Sequence, residues 1–291
     1  MRLFSWSALA VTTILAASAC APQTDRGKVP ASPASPGVPQ RLTTVAVIGT
    51  GSVGSALGPR LGELGHTVIY GSREPMRESV RTLVARTGPK GSAATPQDAV
   101  SRAEVVVLAV PADVLEQVTK SLGDLAGKIV VDLTSGAMRR GADGYMELEP
   151  GPSNSERVQS WAPQSRVVKV AIPGAYVISE PLVLGVAPTV PIASNDRAAK
   201  ETFARMIAGI GLDPFDAGPL RFARSIDESL LLFMVPLNQG RAEGIEIKFL
   251  RSSYFPCFWP VVAQFGPTSD SANLAQFPAN GTPRPCQAWG R

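Results

Sequence analysis

A glycine-rich turn directly after an apolar segment constrains the fold of this chain more than any other feature of its sequence. Residues 45–48 read VAVI and lead straight into GTGSVG at residues 49–54, which has the spacing GxGxxG. A second apolar segment, residues 67–70, follows after an interval of helical length. A strand, a glycine turn, a helix and a second strand in this order are typical of a βαβ unit that binds a dinucleotide.

Each glycine of this turn has a distinct physical role. Gly49 permits the tight turn, Gly51 lets the backbone approach a pyrophosphate, and Gly54 lets the helix lie close to the sheet. The amino end of that helix offers free N–H groups and the positive end of its dipole to phosphate oxygens. We therefore expect the pyrophosphate of the dinucleotide to bind here.

The residues at the end of the second strand indicate which dinucleotide is preferred. An acidic residue there would bind the ribose hydroxyls of NAD, but this chain has Ser72 and Arg73. A hydroxyl and a guanidinium suit a 2′-phosphate, so the pattern favours NADP(H). Arg77, expected one helical turn later, would add a second positive charge on the same side. The alternative, that both arginines only form the solvated start of a helix, is left open.

Composition excludes several other classes of function. The chain has 291 residues, a modest net charge of +4 and scattered basic residues, so we expect no nucleic-acid partner. One histidine and three cysteines argue against a zinc site or histidine-based catalysis, and we assign no catalytic residue and no metal ligand. We expect His66, in the turn before the second strand, to be structural.

The amino terminus has the pattern of an export signal. Arg2 precedes an apolar stretch that ends in small residues and Cys20. This resembles a bacterial lipoprotein signal over residues 1–20, which predicts an exported protein held to the membrane only by a lipid on Cys20, on the periplasmic side. Cleavage before an unmodified Cys20 is the alternative. Residues 21–41 are rich in Pro, Ser and Ala and are expected to form a disordered tether.

Strand and helix patterns alternate from residue 42 onward, which predicts an α/β fold with a Rossmann-like, doubly wound parallel sheet. We expect this domain over residues 42–179, a small C-terminal α/β subdomain over 180–250, and an irregular tail over 251–291, where a Cys257–Cys286 disulfide is one option. Pro59 falls inside the first helix, where it costs about 3 kcal/mol unless the helix kinks. Further strands are predicted at 105–110, 129–133, 167–170, 190–193 and 213–216, and further helices at 76–87, from 96, at 111–122, 153–161, 197–210 and 223–238, with a long loop at 136–152.

The carboxyl ends of the parallel strands should form the crevice that holds the nicotinamide end of the cofactor. Residues 109–111 and 132–134 follow two buried strands, and a third glycine-containing strand end lies at residues 171–175. The alternative is that these are ordinary corners between strands and loops. The residues predicted to contact the cofactor are Gly49, Thr50, Gly51, Ser52, Val53, Gly54, Ser72, Arg73, Arg77, Ala109, Val110, Pro111, Thr134, Gly174 and Ala175.

Several of these segments together resemble the NADPH-dependent reductases of the deazaflavin coenzyme F420. The resemblance rests on the glycine turn, on Gly-Ser-Arg at 71–73, on the strands at 105–111, 130–132 and 167–170, on Gly174-Ala175, and on DPFDAGPLRFAR at 213–224. It covers residues 43–238. The cytosolic domain of the six-transmembrane metalloreductases, which passes electrons from NADPH to a flavin, looks like the same fold.

The resemblance implies that NADPH lies across the glycine turn with its 2′-phosphate on Ser72 and Arg73. F420 or a flavin, as the small-molecule electron acceptor, would then stack on the nicotinamide near the strand ends after Val110 and Val170. One departure is the segment after Lys169, where the family usually has Phe-Asn-Thr and this chain has Val-Ala-Ile-Pro. A dehydrogenase of the pyrroline-carboxylate reductase type and a tethered dinucleotide-binding protein without turnover are the alternatives, and a homodimer is left open.

Overall fold

The computed structural model describes residues 41–172, 174–241, 245 and 247–249. The predicted signal peptide with Cys20, the tether apart from residue 41, and the tail with Cys257 and Cys286 lie outside these residues. Among the helices that are described, none has the length and apolar character needed to cross a membrane.

A sheet of eight strands forms the centre of the fold, with a separate two-stranded hairpin beside it. Its central strands are rich in β-branched residues and are buried on both faces, as expected for a parallel sheet between two helical layers. The strands are β1 (Thr44–Ile48), β2 (Thr67–Gly71), β3 (Gly91–Ala94), β4 (Val105–Leu108), β5 (Ile129–Asp132), β6 (Met138–Arg140), β7 (Met146–Leu148), β8 (Arg166–Val170), β9 (Thr189–Ser194) and β10 (Asp213–Asp216).

The helices begin where the sequence places capping residues. The Thr95 side chain accepts the Asp98 N–H, and Ser153 forms a capping box with Glu156, so both predicted helix starts are confirmed. The helices are α1 (Ser52–Glu63), α2 (Glu78–Thr87), α3 (Pro96–Ser101), α4 (Leu115–Ser121), α5 (Asn154–Trp161), α6 (Ala175–Ser179), α7 (Arg197–Gly209) and α8 (Ala223–Asn238).

The strand order is β10-β9-β8-β5-β4-β1-β2-β3, so the direction of winding reverses between β1 and β4. That reversal confirms the doubly wound, Rossmann-like α/β fold and places a ligand crevice at the carboxyl ends of β1 and β4. The sheet is not wholly parallel, however, because β9 runs antiparallel to β8. Since β8 and β9 are paired, the boundary predicted at residue 180 is not a break in the sheet.

Several local predictions need correction. The predicted loop at 136–152 contains the hairpin β6–β7, and the short strand β3 and helix α6 were not predicted. Pro111 does not begin an α-helix, because a 3-10 turn at Ala112–Val114 precedes α4. The predicted position of Pro59 inside the first helix is confirmed, since α1 continues beyond it to Glu63. Short strands of small residues and short hairpins carry too little hydrophobic periodicity to be recognised from sequence.

Two hydrophobic layers cover the faces of the sheet. Residues of α1, α2, α6 and α7 pack on one face, and residues of α3, α4 and α5 pack on the other. The structural role expected for His66 is confirmed, because its buried Nδ1 accepts the Thr43 N–H. This hydrogen bond links the residue before β1 to the residue before β2. Burial lowers the pKa of His66, which favours the neutral ring that this hydrogen bond requires.

Candidate dinucleotide-binding site

The glycine turn is held directly against the end of β4. Gly49 has a φ of 108°, and a Cβ built on it would lie 2.3 Å from the carbonyl oxygen of Ala109. A Cβ on Gly54 would lie 2.0 Å from the carbonyl oxygen of Gly49. No larger residue fits either position without moving backbone, so the first and third glycines of GxGxxG are a steric requirement of this turn.

The amino end of α1 is open to a ligand. Gly51 caps the helix with extended backbone, no side chain bonds to the first turn, and that turn has no acidic residue. A Cβ on Gly51 would meet no atom within 4 Å, in contrast to its two neighbouring glycines. Free N–H groups and the positive end of the dipole of a twelve-residue helix therefore face open space, which fits a pyrophosphate.

Ser72 and Arg73 lie at the carboxyl end of β2, beside the glycine turn. The Ser72 N–H donates to the Ala94 carbonyl at 3.0 Å, and its Oγ accepts the Glu74 N–H at 3.2 Å, which fixes the hydroxyl at the strand end. Arg73 is exposed and its guanidinium has no ion-pair partner in the described part of the chain. It is therefore available to a phosphate.

Arg77 does not occupy the position that the sequence predicted. Residues 72–77 form a turn rather than a helix, and Arg77 is the residue that precedes α2. Its Nε donates to the Ser79 Oγ at 2.9 Å. The two arginines are therefore not related by one helical turn, and Arg77 has a local partner that Arg73 lacks.

The other predicted contacts lie along the same edge of the sheet. Ala109 continues β4 by donating its N–H to the Ile48 carbonyl, and the Val110 side chain lies against Gly49. Gly174 and Ala175 follow β8 at the start of α6, whose buried residues pack in the layer that contains α1. The structure thus brings the ends of β1, β4 and β8 to one edge, because these strands run parallel.

Thr134 is committed to internal hydrogen bonds. Its N–H and hydroxyl both donate to Asp132 Oδ1, at 2.8 Å and 2.6 Å, and its carbonyl accepts from Lys169 Nζ at 2.6 Å. Asn154 Nδ2 also donates to the hydroxyl of Thr134. A contact between Thr134 and the cofactor stays a prediction, but its polar atoms already have partners.

A buried cluster of charged residues, Asp132, Lys169 and Asp227, lies at the same edge. Lys169 Nζ is 2.5 Å from Asp227 Oδ1 and 4.0 Å from Asp132 Oδ2, and all three side chains are at most 1% exposed. Asp132 ends β5 and is the register partner of Lys169 in β8, whereas Asp227 comes from α8. Buried charges therefore connect the ends of β5 and β8 with α8.

The two carboxylates of this cluster differ in the hydrogen bonds that they accept. Asp132 accepts three hydrogen bonds, two from Thr134 and one from the Ser155 hydroxyl. Within the described residues neither oxygen of Asp227 has a well-aligned hydrogen-bond donor, although Lys169 lies beside it. Burial raises the pKa of Asp227 to about 6, against the opposing effect of the Lys169 charge.

Comparison with known proteins shows that the part of the chain that forms this site is similar to a family of oxidoreductases. The family described as "NADP oxidoreductase coenzyme F420-dependent" matches residues 44–136. The F420-dependent NADP reductase of Methanothermobacter marburgensis is 29% identical over 223 residues, which cover 70% of this chain and 97% of that protein. A crystal structure from Arthrobacter sp. FB24, assigned as an F420-dependent NADP reductase, has a TM-score of 0.62 and 27% identity, covering 72% of this chain and all of that one.

Residues 44–136 of this chain therefore match the F420-dependent NADP oxidoreductase family. Rat metalloreductase STEAP3 is a further relative, 30% identical over 205 residues that cover 68% of this chain. The match covers only 38% of that metalloreductase, so the similarity concerns one part of the larger protein.

The sequence did not predict the charged cluster as a unit. A signal for it was present, because Lys169 interrupts a continuous apolar strand and Asp227 sits in an apolar helix. A charged residue in such a segment requires a buried counter-charge. Sequence alone does not show which residue supplies it, since Asp227 and Lys169 are far apart in the chain.

Proposed function

We propose that this protein binds NADP(H) across the glycine turn and transfers a hydride between its nicotinamide and a flat two-electron acceptor, F420 or a flavin. The observation that carries the proposal is the close packing of Gly49 on Ala109 beside an uncapped, open amino end of α1. This arrangement accepts a pyrophosphate at the point where the sheet reverses its winding. Nicotinamide chemistry then belongs at the ends of β4, β5 and β8.

The preference for NADP(H) over NAD(H) rests on the end of β2. The strand is followed by Ser72 and not by an acidic residue, the Ser72 hydroxyl is fixed at the strand end, and the Arg73 guanidinium is exposed without an ion-pair partner in the described residues. A guanidinium binds phosphate in a charge-assisted, bidentate manner. The adenosine side of the site therefore supports a ligand with a 2′-phosphate.

Two lines support a ring-shaped acceptor. The relative from Methanothermobacter marburgensis is named for F420 as well as NADP, and it is covered over almost its whole length. Hydride transfer between two flat rings depends on closeness and orientation more than on an acid or base. Residues 41–172 and 174–241 place no histidine or cysteine at this edge of the sheet, which is compatible with that reaction.

Stopped-flow spectroscopy tests this function. NADPH is mixed with the protein and F420, FMN or FAD in separate experiments, and the loss of NADPH absorbance is followed. We expect turnover with at least one of these acceptors. Tight NADPH binding without turnover by any of them would instead identify a dinucleotide-binding protein, and absence of NADPH binding would refute the whole proposal.

We further propose, from the amino-terminal pattern alone, that the protein is an exported lipoprotein anchored through Cys20. Mass spectrometry of the mature amino terminus and membrane fractionation of a Cys20→Ala variant test this proposal. A lipid on Cys20 and release of the variant from membranes are expected, whereas an unmodified amino terminus that retains residues 1–20 contradicts it. Association into a homodimer stays a prediction that light scattering of the purified protein addresses.

A further inference from the structure

The buried cluster Asp132–Lys169–Asp227 carries unbalanced charge at the edge of the sheet that holds the proposed nicotinamide site. With all three groups ionised, two carboxylates face one ammonium group, which leaves a net charge of −1 in a region at most 1% exposed. Asp132 accepts three hydrogen bonds as a carboxylate, whereas the Asp227 carboxylate is stabilised chiefly by the Lys169 ammonium group at 2.5 Å. Asp227 is therefore the member of the cluster that most readily takes up a proton.

The position of the cluster matters because the oxidised nicotinamide ring is a cation and the reduced ring is neutral. With the pyrophosphate at β1 and the 2′-phosphate at the end of β2, the nicotinamide lies on the other side of β1, towards β4, β5 and β8. Asp132 ends β5, and Lys169 is the next-to-last residue of β8. A charge on the ring and the charges of the cluster interact more strongly where water is excluded than they would in solution.

We propose that the protonation of Asp227 is coupled to the oxidation state of the bound nicotinamide, so that its carboxyl group loses a proton when the ring becomes the cationic NADP⁺ form. This inference rests on the proposed function. In the balanced step, the C–H bond of NADPH breaks and its electron pair leaves as hydride to the acceptor ring. The O–H bond of Asp227 breaks at the same stage, its electron pair stays on the carboxylate, and the proton passes to water.

A route for that proton is present beside Asp227. A cavity of about 10 Å³, close to the size needed for one water molecule, lies between α8, the loop after β5 and the start of α5. Its walls include Asp227, Ser153 and Asn154, which offer polar partners, and they reach Glu149, which is exposed. The water that this cavity fits would bond Asp227 and connect it with solvent.

The charged groups that face Asp227 all come from identified elements. They are Lys169 of β8, Asp132 of β5, Arg157 of α5, Arg224 of α8 and Glu149 at the exit of the hairpin β6–β7. Arg224 is engaged with Glu228 and with the carbonyls of Glu149 and Gly151. Burial raises the pKa of Asp227 to about 6.

Calorimetry of the wild-type protein tests the coupling without any acceptor. NADP⁺ and NADPH are each titrated in two buffers of different ionisation enthalpy at pH 6, and the number of protons released is compared. The 2′-phosphate also titrates near pH 6, but it is common to both ligands, so the difference between them isolates the nicotinamide charge. We expect NADP⁺ to release more protons than NADPH, and equal release by the two ligands overturns the inference.

The same coupling predicts that the relative affinity for NADP⁺ and NADPH depends on pH. Because Asp227 ionises as pH rises through about 6, the affinity for NADP⁺ relative to NADPH should increase about fivefold to tenfold between pH 5 and 7.5. Asp227→Asn should abolish this change, whereas Glu228→Gln, one residue along α8 and half-exposed, should retain it. Retention of the pH dependence in a folded Asp227→Asn protein contradicts the inference.

These experiments distinguish a failure of this inference from a failure of the proposed function. Arg73→Ala should weaken NADP⁺ and NADPH equally and leave their ratio unchanged, because the 2′-phosphate is present in both. If the wild-type protein binds neither ligand, the proposed function fails and the inference fails with it. If it binds both with equal proton release, only the inference fails. Because the calorimetry uses the wild-type protein, it tests the inference even if Asp227→Asn does not fold.

Discussion

Lys169 Nζ lies 2.5 Å from Asp227 Oδ1, and this contact joins the sheet to the last described helix through two fully buried charges. The same ammonium group donates to the Thr134 carbonyl at 2.6 Å, so one lysine holds β8, α8 and the turn after β5 together. Taking two charges out of water is costly, and it is offset only while both partners remain. The first two predictions follow from that dependence.

Removal of Lys169 should destabilise the protein strongly at neutral pH. Lys169→Met leaves two buried carboxylates without their cation, and we expect a loss of about 3–5 kcal/mol in the free energy of unfolding at pH 7.5. The loss should be smaller at pH 5, where Asp227 accepts a proton. Urea denaturation at both pH values measures this. Lys120→Met, at an exposed pair with Glu116, serves as the control and should stay within about 0.5 kcal/mol.

The contribution of Asp227 to stability should fall as pH rises. Its pKa is raised in the folded protein from the ordinary 3.8 to about 6, so the folded state binds this proton more tightly than the unfolded chain. The stabilisation is therefore fully present below pH 3.8, is lost as pH rises through about 6, and amounts to about 3 kcal/mol. The stability difference between wild type and Asp227→Asn, measured by urea denaturation from pH 4 to 7.5, should shift by most of that amount in favour of the variant. A difference that is independent of pH contradicts the assignment.

Alanine substitutions at two glycines of the turn should have different effects on stability. Gly49→Ala forces a side chain into a backbone with φ of 108° and towards the Ala109 carbonyl, so we expect a loss of more than about 1 kcal/mol and of NADPH binding. Gly51→Ala meets no atom within 4 Å and should fold normally. It should nevertheless weaken NADPH, because its methyl group occupies the approach of the pyrophosphate. Thermal melts and fluorescence titration distinguish the two variants.

Arg73 should decide the choice between NADPH and NADH. A hydrogen bond to a charged group contributes about 1.5–3 kcal/mol, so Arg73→Ala should weaken NADPH about tenfold to a hundredfold and leave NADH nearly unchanged. Arg77→Ala should have a smaller effect, because the Arg77 Nε already bonds Ser79. Arg86→Ala, in the last turn of α2, is the matched control and should change neither affinity. An unaltered preference in Arg73→Ala refutes its role at the 2′-phosphate.

Local signals in the sequence were sufficient for most of the fold. The apolar strands at 45–48 and 105–110, the capping residues Thr95 and Ser153, and the turn at 49–54 each act over a few residues, and the structure confirms them. The reversed direction of β9 was not predictable in this way. Strand direction depends on how the intervening chain crosses the sheet, which a hydrophobic pattern does not encode.

The sequence by itself therefore determined the βαβ unit, the glycine turn and the residues proposed to bind a 2′-phosphate, because each depends on neighbours within about 30 residues. Only the tertiary structure decided that Lys169, Asp132 and Asp227 form one buried cluster, and that Thr134 bonds within the protein. The physical reason is that a buried charge needs an oppositely charged group close to it in the fold. The sequence alone does not show which acidic residue of the chain is close to Lys169. The packing of α8 against the ends of β5 and β8 selects Asp227.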